Sequence, residues 1–87
     1  MGTIVLEKNR TETELINAAK IRVKKFPANW IKLCYFDEVD NFFVQISKEV
    51  IENSEHDFDN NVIYHYNRAG QVVSFEVLEL FGVFVGV

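Results

Sequence analysis

Cysteine, proline and long apolar runs are all scarce in this 87-residue chain, and each scarcity excludes something. Cys34 is the only cysteine, so no internal disulfide can form and a disulfide-stapled secreted scaffold is excluded. Pro27 is the only proline, no Pro- or Ser-rich linker interrupts the chain, and residues 1–87 read as a single domain. No apolar run approaches the ~20 residues that span a bilayer, so no membrane attachment is expected. The first residues show no basic region followed by an apolar stretch and a small-residue cleavage site. Together with the lone cysteine, this predicts a protein of a reducing cytoplasm. There is no internal repeat, and no Gly-rich phosphate loop of the Walker or dinucleotide type.

What is present is apolar enough to fold. Hydrophobic residues make up 48% of the chain and aromatics 14%, which excludes intrinsic disorder. A domain this short buries a modest share of its surface, so its stability is thin or shared with a partner. The net charge of −4 conceals a split. Residues 1–32 carry seven cations (Lys8, Arg10, Lys20, Arg22, Lys24, Lys25 and Lys32) against three acids. Residues 33–87 carry only Lys48 and Arg68 against ten acids.

Hydrophobic periodicity predicts the elements. Thr3–Lys8 is a candidate first strand. Thr11 with Glu14 three residues later forms a capping-box signal. Leu15, Ile16, Ala19, Val23 and Phe26 then recur at helical spacing, which predicts an amphipathic helix over about 12–25, ended by Pro27. Beyond it the period becomes two. Trp30–Phe36 and Phe42–Ser47 read as strands joined by the Asp37–Asn41 turn. Val62–Tyr66 and Gln71–Leu80 read as two more, joined at Asn67–Gly70. Residues 52–57, Glu-Asn-Ser-Glu-His-Asp, are polar enough to suggest a loop or irregular edge. The expected fold class is α+β: the N-terminal helix packed on an antiparallel four- or five-stranded sheet spanning about 30–86, with strand order following a meander. The tail Phe81–Val87 has no charged side chain, and as an exposed edge strand it would aggregate, so it must be covered.

The stretch Tyr35-Phe-Asp-Glu-Val-Asp-Asn-Phe-Phe-Val-Gln-Ile-Ser47 resembles the opening of a bacterial family of short proteins, domain of unknown function 2283. Those proteins typically begin with Tyr-Asp, a few residues, and Asp-x-Leu-Tyr-Ile-x-Leu-Ser. Residues 61–80 are similar to that family's second half: an apolar strand, a Gly-containing turn and a Val-Gly-Ile-Glu-Ile-Leu strand. The resemblance covers roughly 35–81. Phe36 stands before Asp37 where the family usually has Tyr, and Ser74 replaces the usual Gly before the last apolar–Glu–apolar run. The resemblance implies the paired strands and brings no active site.

Each chemical constellation competes with a plainer reading. Glu55, His56, Asp57 and Asp59 are the one dense cluster of possible metal ligands, but on a strand His56 would face away from the acids, and a solvated acidic edge is the simpler reading. Asp37, Glu38 and Asp40 could form a general acid/base pair, yet a turn accounts for them. Glu76 lies mid-strand and, by alternation, faces solvent. Cys34 could pair with His56 or His65 as a nucleophile, but nothing nearby would lower its pKa, and it reads as a small core residue. Lys20, Arg22, Lys24 and Lys25 suggest phosphate binding, but they scatter around the helix and the rest of the domain is acidic.

The expectation is therefore a non-catalytic domain working by protein–protein interaction. Its partner would be itself, as a homodimer or higher oligomer, or a small protein, in the manner of an antitoxin. No cofactor, metal or catalytic residue is implied. The expected interface residues are Phe81, Val83, Phe84, Val85, Lys20 and Lys24, with the basic helix lying across an acidic surface. Nucleic-acid binding through that helix, or a small metal-dependent hydrolase at the acids near Asp57, are the alternatives.

Overall fold

The computed structural model describes residues 3–5 and 11–82. In chain order the elements are β1 (Thr3–Val5), α1 (Glu12–Lys20), β2 (Lys32–Phe36), β3 (Asn41–Gln45), β4 (Asn53–Asp57), β5 (Val62–Tyr66) and β6 (Val72–Val77). They form an α+β fold in which one short N-terminal helix packs on a sheet whose five strands β2–β6 are antiparallel. β1 adds a short parallel strand beside β2.

α1 begins as its sequence requires. The Thr11 hydroxyl accepts from the Glu14 N–H at 3.1 Å, and the Glu14 carboxylate accepts from the Thr11 N–H at 3.1 Å. Two amides that would lack helical partners are thereby satisfied. The helix ends at Lys20, five residues earlier than its apolar period suggests. The amides of Arg22 and Val23 both turn back to the Ala19 carbonyl. Arg22 then donates through Nη2 to the carbonyls of Leu78 and Glu79, and the Lys24 N–H donates to the Tyr64 hydroxyl. These tertiary bonds replace another helical turn, while Val23 and Phe26 still reach the core from irregular chain.

Cross-strand register arranges the core in two rows. Tyr35, Phe42, Val77 and Val62 form one, and Leu33, Val44, Phe75 and Tyr64 the other. Leu15 and Ala19 of α1 close over them, with Val23 and Leu80 at the margin. Phe42 and Phe75 are fully buried, so truncating either to alanine costs about 3–5 kcal/mol.

The strand order is β1-β2-β3-β6-β5-β4, which departs from the expected meander at one point. β6 lies between β3 and β5, because the amides of Ile46 and Ser47 both bond the Val73 carbonyl and hold the end of β3 against the start of β6. The 46–52 segment then crosses to the far edge. Residues 53–57, expected as a loop or irregular edge, form the regular edge strand β4. Its polarity suits that place, since charged side chains keep an edge from recruiting other strands.

One end of the sheet gathers three turns: 37–40 between β2 and β3, 58–61 between β4 and β5, and 78–82 after β6. Asp40 (φ 54°) and Asn61 (φ 55°) close the first two in the left-handed region, which Asp and Asn tolerate better than most residues. Arg22 and Asn61 converge on the third turn: the Asn61 amide donates to the Glu79 carboxylate at 3.2 Å.

Candidate functional site

α1 covers one face of the sheet. On the opposite face, register places Lys32, Gln45, Ser74, His65 and Ser54 in one row and Cys34, Phe43, Glu76, Ile63 and His56 in the next. Across these rows runs a chain of side-chain hydrogen bonds linking four strands. Ser54 Oγ lies 2.7 Å from His65 Nδ1, His65 Nε2 lies 2.9 Å from Glu76 Oε2, and Asn41 Nδ2 donates to Glu76 Oε1 at 3.3 Å. With an ionised carboxylate, which only accepts, and a neutral imidazole, the ring proton sits on Nε2 and Nδ1 accepts from the serine hydroxyl. The His65 and Glu76 side chains are 15% and 27% exposed, and Ser54 on the edge strand is open to solvent. Glu76 sits between Phe43 and Ile63 in its row, apolar neighbours that thin the water around the carboxylate.

Sequence reasoning missed this chain. Glu76 was expected to face solvent; it does lie on the face away from the core, but it is half-buried and bonded to two side chains. Asn41 reads as a turn residue and Ser54 as part of a polar loop or irregular edge, so neither stands out in the sequence. The available signal was alternation: once 53–57 is placed beside 62–66, Ser54 falls opposite His65.

The other constellations are dispersed. His56 Nε2 bonds Asn61 Oδ1 at 3.1 Å, and its ring stacks on Phe58 at 4.0 Å. Glu55 accepts from the Tyr66 hydroxyl. Asp57 accepts from the Asn60 side chain and from the amides of Asp59 and Asn60. Among the described residues no group of three His, Cys, Asp or Glu side chains converges as a metal site. The Asn60 side-chain bond is the main influence lowering the Asp57 pKa below 3.8, with smaller help from the backbone bonds and from Lys24. Burial, followed by the adjacent Glu55, raises the Tyr66 phenol above 10.0.

Cys34 is buried in β2. Four strand spacings separate it from His56 in the same row, roughly 19 Å, so the structure does not assemble a Cys–His pair. Asp40 has a structural part. It is 1% exposed and accepts from the Tyr35 hydroxyl at 2.7 Å and from the Phe81 N–H at 3.1 and 3.2 Å. Asp37 and Glu38 point into solvent from the same turn.

Of the expected interface residues, Phe81 is half-buried, edge-on to Tyr35 with ring centroids 5.7 Å apart. Lys20, in the last turn of α1, and Lys24, whose N–H donates to the Tyr64 hydroxyl, are both exposed. Val83, Phe84 and Val85 lie outside the described residues, as do Gly86 and Val87.

The molecule is thus a small α+β domain with a sheet covered by helix on one side. A family profile described as "Protein of unknown function (DUF2283)" matches residues 32–80, more than half of the chain, and the chain belongs to that family. The match spans β2 to the end of β6 and leaves α1 outside it. No curated protein and no solved structure matches the chain. Among the described residues no helix is long and apolar enough to cross a membrane.

Proposed function

We propose that this domain is a protein–protein interaction module that pairs with a second copy of itself through the end of the sheet where the turns gather. The observation that carries the reading is the apolar side chains exposed there: Ile21 is 83%, Phe58 80% and Val39 64% exposed. Single exposed apolar residues are ordinary; what supports the reading is that three of them lie in segments that reach the same end of the sheet, not a continuous patch.

Charge supports a second copy as the occupant. Lys20, Lys24 and Lys25 are exposed at the end of α1 and just after it, where Arg22 bonds the third turn, and Asp37, Glu38 and Asp59 are exposed in the first two turns. A two-fold arrangement can set the basic segment of each copy against the acidic turns of the other, with Ile21, Val39 and Phe58 between them. A phosphate backbone fits this end less well, because the acids interleaved with the lysines would repel it.

The test is a charge exchange. Lys20→Glu with Lys24→Glu should weaken self-association at least tenfold. Mixing that variant with Asp37→Lys/Glu38→Lys should restore a heterodimer that neither forms alone, read by light scattering. A dimer indifferent to all four substitutions would reject the interface, and a monomeric wild type at high micromolar concentration would reject the function.

A further inference from the structure

We propose that Ser54 is a nucleophilic serine, with His65 as its base and Glu76 as the positioning residue, able to take acyl groups from small esters with good leaving groups. Nucleophilic catalysis by serine needs a hydroxyl bonded to a base whose other nitrogen is held by a third group. The 2.7 Å contact from Ser54 Oγ to His65 Nδ1 and the 2.9 Å contact from His65 Nε2 to Glu76 Oε2 meet that requirement. The order of ring nitrogens is reversed relative to the serine proteases, which the chemistry permits because the carboxylate selects the tautomer.

Exposure is distributed as such a site needs. The hydroxyl is open to solvent on edge strand β4, while the imidazole and carboxylate behind it are largely enclosed. Asn41 donates to the second carboxylate oxygen and fixes the orientation of Glu76 from β3. Lys32 stands at the far end of the His65 row, three strands away. The site runs from the Ser54–His65 row to Asn41 beside the β2–β3 turn, and its chemistry does not depend on the self-association reading.

In the first step Ser54 Oγ bonds the ester carbonyl carbon as its proton passes to His65 Nδ1. The carbon–oxygen bond to the leaving group then breaks, and Nδ1 hands the proton to the departing oxygen, which leaves as the alcohol or phenol. Water then attacks the acyl-serine carbonyl and gives its proton to Nδ1. The acyl carbon–Oγ bond breaks as Nδ1 returns that proton to Ser54 Oγ, which releases the acid and restores both residues. No oxyanion hole is assigned, so the proposed reaction extends only to esters whose leaving group departs readily.

The test uses the full chain and an alkyl fluorophosphonate, which phosphonylates activated serines with loss of fluoride. Peptide mapping by mass spectrometry should place the label on Ser54, and Ser54→Ala should abolish it. His65→Gln should slow labelling about a hundredfold, the usual scale of a general base. Glu76→Gln should leave an intermediate rate whose rise with pH moves to lower pH, because a neutral amide stabilises the imidazolium less. A purely structural polar ladder would not move that profile. Absence of label on wild-type Ser54, or equal labelling of wild type and His65→Gln with circular dichroism unchanged, overturns the proposal.

Discussion

Asp40 shows how one residue joins three parts of the chain. It closes the β2–β3 turn in a left-handed conformation, and its buried carboxylate accepts from the Tyr35 hydroxyl and the Phe81 amide. Removing that acceptor destabilises the domain by about 3 kcal/mol in Asp40→Ala, measured by urea denaturation, with Asp40→Asn recovering part of the loss. Ser74 predicts the opposite sign. Its hydroxyl is buried without a hydrogen-bond partner among the described residues, so Ser74→Ala should be neutral or stabilise by about 1 kcal/mol. A clear loss of stability there would mean that a bound water or ligand serves the hydroxyl. Both residues show what a linear reading can reach. The Asp37–Asn41 turn is legible from its residue types. That Asp40 anchors Phe81, forty-one residues away, depends on a tertiary approach that no local pattern encodes.

At the level of elements, the strands with strong alternation were the legible ones. Val62–Tyr66 has the bounds its pattern predicts, because Val62 and Tyr64 face the core. β4 was hidden because its five residues are polar, and an edge strand needs no apolar face to be held by its neighbour's backbone. The polar relay was hidden with it. The start of α1 was legible from the capping box, and Thr11→Ala should cost about 1 kcal/mol in thermal or urea unfolding. The end was not, because Val23 and Phe26 continue the apolar period from non-helical chain. The β4–β5 turn supplies a pH test. The Asp57 pKa is lowered chiefly by the Asn60 side chain, so its stabilising contribution is present above 3.8 and is lost as pH falls through the lower folded value. Asn60→Ala should return the Asp57 titration toward 3.8, followed by NMR of the carboxyl carbon. An unmoved titration would assign the shift to the backbone bonds instead.

For the whole molecule, the fold class and family were legible from strand patterning and the motif at 35–47, while the position of β6 was not. Short turns make neighbours of successive strands, but the 46–52 crossing depends on which strand best fills the centre of the core. Phe75 and Val77 on β6 fill it. The charge split of the sequence takes a definite spatial form: the basic segment after α1 stands beside acidic turns on one end of the sheet, with exposed apolar groups among them. Within one chain Lys24 is the smallest of the influences that lower the Asp57 pKa. The proposed self-association extends the same attraction between copies, and salt should weaken it, since screening lengths shrink from about 10 Å at 0.1 M to about 3 Å at 1 M.

Sedimentation equilibrium of the full chain across protein concentration, at low and high salt and with Phe58→Asp alongside, tests that claim most directly. A concentration-dependent dimer that weakens in high salt and is lost in Phe58→Asp is the predicted result. A species that remains monomeric throughout, or a dimer untouched by both salt and Phe58→Asp, would contradict it.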